Sequence, residues 1–290
     1  IGPSQDAVDM FFMGNGLAIN DPNSGYDETG FGAVENHCYD PDYKDKKTDQ
    51  NISNMYANRE PRFYASVVYQ GRSWFKKWMN GNPNYIVDFS AGGGNDLSNG
   101  DNVKTGYMLG KFKNRTVNHA SGDTQSWKRV SIIYRLAEFY LFYAEALNET
   151  DPSNPDIIKY IDMVRERAGI PGYQTMNDNG IKTGIIGNYD KQFDAIQHER
   201  YVELYCEGQR YFDIRRWMIC GDKDRIGCDQ TRFYGMNMKG SKDKTPGEPT
   251  SYYTRTKVEN RQWTDKLYLY PIHQNVIELA NGRIPQNYGW

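Results

Sequence analysis

The sequence predicts a mainly α-helical fold, in which tetratricopeptide-like helical hairpins are combined with a small β-hairpin element and long loops. Three observations bear on this prediction. Apolar residues recur at helical spacing between about residues 130 and 220. Short aromatic and β-branched runs, separated by turn-forming residues, occur upstream instead. No strict repeat of about 34 residues is visible, so the tetratricopeptide-like interpretation depends on the pairing of the helices.

The N-terminal third of the chain is predicted to contain little helix. Residues 1–60 are interpreted as an irregular connector, because Asp, Asn, Pro, Gly and Lys are concentrated there. Residues 61–110 are predicted to form the β element with a variable loop. Its clearest strand is FYASVVY at residues 63–69, and residues 85–89 and 106–109 are expected to form shorter strands.

Residues 130–220 are predicted to form two helical hairpins. The first helix carries an amphipathic stripe that we expect to be buried, formed by Leu136, Phe139, Tyr140, Tyr143 and Leu147. The second helix begins with Asn154 as its N-cap and Pro155 as its first residue. A second hairpin is expected over residues 193–218, with an interruption at Gly208.

The C-terminal part is predicted to be mostly irregular. Residues 221–262 are polar and rich in Gly, Lys and Thr, which indicates a long surface insertion. Residues 263–290 are expected to contain a short strand at residues 267–272. A last helix is predicted over about residues 274–279, and Asn281-Gly282 is expected to end it.

Composition and charge exclude several classes of protein. With 35 basic and 37 acidic residues the formal net charge is −2, and no cluster of Lys and Arg indicates a nucleic-acid partner. The sequence contains no run of about 18 apolar residues that could span a bilayer. The chain begins with Ile1 rather than Met and has no signal-peptide pattern, so we expect it to be processed or to be a fragment.

The cysteines and other potential metal ligands predict no metal site and no cofactor. Four Cys and four His lack the spacing of a zinc site. The carboxylates and amide between residues 21 and 27 match a calcium loop only in part, because no Glu closes it. In an exported protein Cys220 and Cys228 could form a disulfide around a short loop, whereas Cys206 is expected to be a buried thiol.

Five separated motifs resemble the SusD/RagB family, and they occur in the family's order over nearly the whole chain. They are NREPRFY at residues 58–64, RLAE with YAEA between 135 and 146, VRERAGIP at 164–171, the series ER, EL, EGQR and DIRRW between 199 and 217, and YPIH with PQNYG between 270 and 289. The resemblance implies a SusD-like fold. It also implies that this chain is the C-terminal portion of a longer protein, whose signal peptide and lipidated Cys lie outside it.

The same resemblance implies a function. SusD-like proteins are glycan-binding lipoproteins on the outward face of the outer membrane of Bacteroidetes. They bind oligosaccharide or polysaccharide without catalysis and help to deliver it to a SusC-like TonB-dependent transporter. The expected partners are therefore the glycan and the transporter, and the membrane is expected to be reached only through the lipid anchor.

One segment has the side chains that a sugar-binding site needs. A sugar ring presents an apolar C–H face surrounded by hydroxyl groups, so aromatic planes and side-chain amides or carboxylates hold it. The rings that we expect to stack on sugar are Trp74, Trp78 and Tyr85. The polar side chains that we expect to bind hydroxyl groups are Asn82, Asn84 and Asp88. The alternative is that Trp74 or Trp78 covers the edge of the sheet.

Three further residues are weaker candidates for the same site: Asp96, Tyr107 and Trp127. Trp127 precedes the first helix, so packing is the alternative role for its ring. The remaining tryptophans are interpreted as structural residues: Trp217, Trp263 and Trp290.

Two alternative functions remain open. A helical-repeat module that binds only protein would have no affinity for sugar. A glycoside hydrolase would need two carboxylates about 5–10 Å apart in a cleft. Glu199, Glu203 and Glu207 share one helical face, but three oppositely charged i, i+3 pairs favour structural ion pairs, and no catalytic residue is predicted. These pairs are Arg200–Glu203, Glu207–Arg210 and Asp213–Arg216.

Overall fold

A computed structural model describes residues 2–36, 47–74, 85–100, 102–113, 132–225 and 227–290. The α-helices are α1 (Gln5–Asp9), α2 (Pro61–Ser66), α3 (Leu136–Thr150), α4 (Asp156–Arg167), α5 (Tyr173–Asp178), α6 (Tyr189–Glu203), α7 (Gln209–Arg216) and α8 (Gln274–Leu279). The strands are β1 (Phe31–Asn36), β2 (Lys47–Ser53), β3 (Val67–Val68), β4 (Met108–Leu109), β5 (Tyr234–Met236) and β6 (Arg255–Lys257). Within the described residues the strands form three antiparallel pairs: β1–β2, β3–β4 and β5–β6.

The predicted helix-rich fold with paired helices is confirmed. Helices α3 and α4 pack against each other and against α6, around a core that includes Ile157, Ile161 and Val164 of α4. The Asn154 side chain accepts a hydrogen bond from the Asp156 N–H, as an N-terminal cap does. Gly208, at a φ of +90°, separates α6 from α7, since few other residues adopt this left-handed conformation.

The buried face of α3 is not the one that the apolar stripe predicts. Leu141 and Ala144 are fully buried, whereas Leu136, Phe139 and Tyr143 are 62%, 56% and 47% exposed. Both sets of residues recur at helical spacing, so periodicity alone does not determine which face the neighbouring helices cover. The helix therefore presents an apolar, aromatic face outward.

The prediction of an irregular connector at residues 1–60 is wrong for much of its length. Helix α1 is buried, and Val8, Phe11 and Phe12 enter an aromatic-rich core together with Val34 of β1 and Ile52 of β2. The abundant turn-forming residues are real, but they connect short elements that pack. A sequence rich in Asp, Asn and Gly conceals such elements, because each has only a few apolar positions.

The strand predicted at residues 63–69 is helical in its first part. Pro61 is the first residue of α2, a position at which a backbone N–H has no acceptor within the helix, so that proline is tolerated there. Phe63 and Tyr64 are both buried. Only Val67 and Val68 form a strand, which pairs with the predicted strand region around Met108. Of residues 85–89, Ile86 alone forms a β-bridge, and its partner is Ser73.

Part of the stretch at residues 221–262 is core rather than a surface insertion. Met236, Met238, Tyr252 and Tyr253 are buried in the aromatic-rich core, and strands β5 and β6 pair within this stretch. The few apolar residues of this stretch are therefore enough to bury part of it, although most of its residues are polar. Downstream, α8 confirms the predicted last helix, while a 3₁₀-helix at Asp265–Tyr268 replaces the start of the predicted strand.

The structure answers the open question about the Cys220–Cys228 disulfide and shows that the expected burial of Cys206 is wrong. Cys220 and Cys228 are buried free thiols, so no disulfide joins them. Cys206 is exposed rather than buried, because it lies at the end of α6 with a φ of +59°. Cys38 lies outside the described residues.

Candidate functional site

A narrow antiparallel ladder joins the two ends of the predicted sugar-binding segment. The Trp74 N–H donates to the Tyr85 carbonyl at 2.9 Å, and the Val87 N–H donates to the Arg72 carbonyl at 2.9 Å. The ladder begins at Gly71, whose φ is +81° and where an added Cβ would lie 2.6 Å from the Ile52 Cδ1 atom. Trp74 and Tyr85, the residues that flank 75–84, are therefore held side by side.

Buried polar side chains tie this ladder to β1 and β2. The Ser73 N–H donates to Asp49 Oδ2 at 3.2 Å, and the Asn36 amide donates to the Ser73 carbonyl at 3.0 Å. Burial raises the pKa of Asp49, although the hydrogen bonds from Ser73 act against this shift. Because each of these groups is buried with a partner, the ladder has one preferred position on the sheet.

Asp88 follows the ladder and is the centre of a second set of hydrogen bonds. Its Oδ1 accepts from the Gln70 amide at 2.8 Å and from the Ser90 hydroxyl at 2.6 Å. Its Oδ2 lies 2.5 Å from the Lys242 ammonium group. Burial alone would raise the pKa of Asp88, but the hydrogen bonds from Lys242, Ser90 and Gln70 hold it below its usual value.

A polar surface loop at residues 91–100 continues from Asp88. The Asn95 N–H donates to the Asp88 carbonyl at 2.8 Å. Asp96 accepts hydrogen bonds from the Ser98 N–H and the Gly92 N–H, both at 2.9 Å, and so fixes the turn. Together with the hydrogen bond from the Ser98 hydroxyl, which has the largest effect, these bonds lower the pKa of Asp96. The loop therefore remains anionic and presents several exposed backbone and amide groups.

The structure brings together some of the predicted site residues. Trp74, Tyr85, Asp88 and Asp96 lie on the ladder and the adjoining loop, with the Trp74 ring buried and the Tyr85 ring partly packed on the core. Tyr107 lies apart from them. It is fully buried, and its hydroxyl donates to Gln5 Oε1 at 2.6 Å, so its ring faces the core and not solvent.

Four predicted site residues lie outside the described residues: Trp78, Asn82, Asn84 and Trp127. Sugar contact by the segment stays a prediction. Lys242, by contrast, is a charged residue at this surface that the sequence did not indicate. It is 154 positions away from Asp88 in a polar stretch, and no local pattern signals such a contact.

The whole chain, residues 1–290, matches the model of the SusD family. The chain belongs to the SusD family. A curated relative, SusD-like protein P2 of Formosa agariphila, is 37% identical over 82 residues, which is 28% of this chain and 16% of that protein. SusD membership agrees with the arrangement of paired helices and small strand pairs.

Solved structures also match over the full length of the chain. A SusD-like protein from Bacteroides fragilis superposes with a TM-score of 0.70 at 27% identity, and the match covers 100% of this chain and 47% of that one. A protein designated BT4246 gives a TM-score of 0.73 at 24% identity, with 100% and 45% covered. The chain thus spans less than half of the length of each of these two structures.

The carboxylates on α6 of this SusD-family chain form ion pairs rather than a catalytic pair. Glu199 contacts Arg62 at 2.5 Å and Arg165 at 3.2 Å. Burial would raise the pKa of Glu203, but the nearby guanidinium groups, with that of Arg62 first, lower it to about 2. Glu203 is therefore ionised at neutral pH and does not carry the proton that a general acid must donate.

The partners of these charges differ from the i, i+3 prediction. Arg200 binds Asp213 across helices at 3.0 Å instead of Glu203, and Glu207 pairs with Lys111 and Arg135. Asp213–Arg216 forms as predicted. Oppositely charged partners from other elements are closer than those on the same helix, because α6 is packed on several sides.

Potential metal ligands do not converge within the described residues. No group of three or more His, Cys, Asp or Glu side chains there could hold a metal ion. In the stretch that partly matches a calcium loop, Asp21 instead binds the Lys182 ammonium group at 2.6 Å. Among the described residues, no helix combines the length and hydrophobicity needed to cross a bilayer.

Proposed function

We propose that this chain supplies part of a non-catalytic site that binds oligosaccharide or polysaccharide at the outer-membrane surface. The bound glycan is then delivered to a SusC-like TonB-dependent transporter. The observation that carries the proposal is the ladder between residues 71–74 and 85–87, which fixes both ends of the segment rich in rings and amides. Membership of the SusD family supports the same function.

The chemistry of the surface suits a hydroxyl-rich ligand. Tyr85 is only partly buried, so part of its ring is available to the apolar face of a sugar. Asp88 and Asp96 are ionised acceptors that are already oriented by hydrogen bonds, and a preorganised acceptor loses little entropy on binding. We assign Trp78, Asn82 and Asn84 to the same site. We also propose that a lipid anchor outside this chain attaches the protein to the outer membrane.

Isothermal titration against a panel of plant and host polysaccharides tests the proposal. We expect one or more glycans to bind, and we expect the double substitution of Trp78→Ala and Asn84→Ala to weaken that binding by at least about tenfold. Tyr288→Ala is the matched control, since this ring is 84% exposed and lies in the C-terminal segment. Equal affinities of the double variant and the control would contradict the assignment of the site.

An exposed apolar face supports a second candidate function, that of a protein-interaction module. Ile133 and Tyr134, just before α3, are 77% and 67% exposed, and the outer face of α3 continues with Leu136, Phe139 and Tyr143. A contiguous apolar surface of this kind is typical of protein contacts. Under this alternative the chain would co-purify with its transporter but bind no glycan of the panel, and Phe139→Ser would abolish the co-purification.

A further inference from the structure

A pocket lined with arginines lies between α7, the start of α1 and residues 227–233. It has a volume of about 380 Å³, and it is separate from the ladder and from the loop that carries Asp88. The charged residues that line it are Arg210, Arg215, Arg232, Arg261, Asp6 and Asp229. Four guanidinium groups thus face two carboxylates, which leaves the pocket with an excess of positive charge.

Both carboxylates of the pocket are already engaged. Asp6 pairs with Arg232 at 3.3 Å. Asp229 Oδ1 accepts from the Thr231 N–H at 2.8 Å and from the Thr231 hydroxyl at 2.5 Å. Among the described residues, Arg210 and Arg215 have no carboxylate within ion-pair distance. The excess charge is therefore concentrated on these two side chains of α7.

The guanidinium groups of Arg210 and Arg215 are held in place but remain incompletely satisfied. Arg210 donates to the Gly227 carbonyl at 2.9 Å and stacks 4.3 Å above the Tyr201 ring. Arg215 donates to the Tyr211 carbonyl at 3.0 Å and stacks 3.6 Å above the Tyr211 ring. The Nε atoms of both arginines are buried and lack a hydrogen-bond acceptor among the described residues.

A charged guanidinium group without a carboxylate partner is a favourable partner for an anion. An oxyanion that accepts from the terminal N–H groups of Arg210 and Arg215 would neutralise part of the charge of the pocket. Guanidinium groups bind carboxylate, sulfate and phosphate oxygens through paired N–H donors, whereas a neutral hydroxyl group gains much less. The rings of Tyr201 and Phe233 add apolar walls that suit the rest of a sugar unit.

We propose that this pocket binds an oxyanion group, a carboxylate or a sulfate ester, carried by an acidic glycan. The identification of the carrier as a glycan rests on the proposed function, while the binding of the oxyanion depends only on the pocket. Arg210 and Arg215 supply the contacts, and Arg232 and Arg261 attract the anion to the entrance. The pocket makes the protein selective for charged over neutral sugars.

The test compares three ligands with the same 290-residue chain: a neutral oligosaccharide, an oligosaccharide of uronic acid and a sulfated oligosaccharide. Sodium sulfate serves as a probe for the anion without sugar. We expect the acidic oligosaccharides to bind more tightly than the neutral one. Arg210→Gln and Arg215→Gln should each weaken the binding of the acidic oligosaccharides by about tenfold. Arg210→Lys, which keeps the charge but loses the paired N–H donors of the guanidinium group, should weaken binding less.

Arg283→Gln is the matched control, because it removes an exposed arginine from the C-terminal segment, away from the pocket lining. It should leave all affinities unchanged, and circular dichroism should show that every variant is folded. Acidic ligands that bind no better than neutral ones, or that bind the Arg210→Gln variant equally well, overturn the inference. Which of the two acidic oligosaccharides binds more tightly identifies the oxyanion.

Failure of the inference and failure of the proposed function give different results. If neutral glycans bind but acidic groups add nothing, the glycan-binding function stands and the pocket proposal falls. If no oligosaccharide binds, but sulfate raises the melting temperature of the unsubstituted chain and not that of Arg210→Gln, the pocket proposal stands and the function falls. If neither sulfate nor any oligosaccharide binds, both are overturned.

Discussion

Arg62 joins two elements that are far apart in the sequence, because its Nη1 lies 2.5 Å from Glu199 Oε1 across 137 positions. The same guanidinium contacts Glu60 Oε2 at 2.6 Å and Glu203 Oε2 at 2.9 Å. Arg62 belongs to α2, which leads through β3 towards the ladder, and Glu199 belongs to α6 of the helical hairpins. One buried cation thus couples the candidate surface to the helical half of the molecule.

We expect Arg62→Met to lower the free energy of unfolding by about 3–5 kcal/mol, because it removes a cation shared by three buried carboxylates and, among the described residues, leaves Glu60 without an ion-pair partner. Equilibrium unfolding in urea measures the change. Lys159→Met is the control, since Lys159 forms an exposed pair with Asp156 at 3.0 Å, and its loss should change stability far less. Equal losses in the two variants would show that the Arg62 cluster contributes little to stability.

We expect Gly71→Ala to destabilise the protein by about 2–3 kcal/mol and to weaken glycan binding. The substitution strains a left-handed backbone and forces a Cβ to within 2.6 Å of Ile52 Cδ1. Gly180→Ala is a matched control, because Gly180 has a φ of +68° but no atom within 4 Å of an added Cβ, and it lies outside the candidate surface. It should cost only about 1 kcal/mol. Urea unfolding and titration with the best glycan of the panel distinguish the two variants.

The stability of the protein should depend on pH through His198. Burial lowers the pKa of His198 to about 4, and its ring stacks on Phe12 with a centroid distance of 4.1 Å. In the unfolded chain His198 takes up a proton near pH 6.5, whereas in the folded protein it stays neutral until the pH is about 4. The stability that neutral His198 contributes is therefore lost as the pH falls from about 6.5 to 4. The ring is partly exposed, so we expect a loss of about 1–2 kcal/mol.

His198→Gln isolates this contribution, because Gln has no titrating group and can still donate to the Met10 carbonyl that His198 contacts. The measurement is the free energy of unfolding of both proteins at pH 4.5 and pH 7. Acids with raised pKa values, such as Asp49, act in the opposite direction in both proteins and cancel in the comparison. An identical pH dependence of the two proteins would contradict a neutral His198 in the folded state.

The cysteines should differ in reactivity. Cys206 is exposed, whereas Cys220 and Cys228 are buried free thiols, and burial raises the pKa of both. Burial raises the pKa of Cys206 as well, so access of the reagent to the sulfur, and not the fraction of thiolate, separates these thiols. A thiol reagent at neutral pH should therefore modify Cys206 in the folded protein, and Cys220 and Cys228 only after unfolding. Comparison with Cys206→Ser under native conditions gives the difference. Fast modification of the variant at Cys220 or Cys228, located by mass spectrometry, would contradict their burial.

Local signals in the sequence predicted the helical half well. Asn154 and Pro155 mark the start of α4, and its apolar residues at helical spacing are buried, because a helix with capping residues and one apolar stripe is determined locally. The same reasoning was wrong for α3, which has apolar residues on two faces. The choice between those faces is made by the packing of α4 and α6, and a single helix does not encode it.

The candidate surface was less predictable because its contacts are non-local. The sequence located the segment that begins at Trp74 and the carboxylate of Asp88, but not the partner of Asp88, Lys242, which the β5–β6 stretch brings from 154 positions away. Burial of the Tyr107 ring was not predicted either, since a strand as short as residues 106–109 does not show which of its side chains face the core. Residues whose roles depend on tertiary contacts need the structure.

The ladder between residues 71–74 and 85–87 has a consequence for how such a protein can diversify. Because both ends of residues 75–84 are fixed by backbone hydrogen bonds and by buried groups outside the segment, its sequence does not have to encode its own closure. The entropy of closing a loop rises only by about 0.6 kcal/mol when its length doubles. An exchange or lengthening of this segment can therefore leave the scaffold that carries it unchanged.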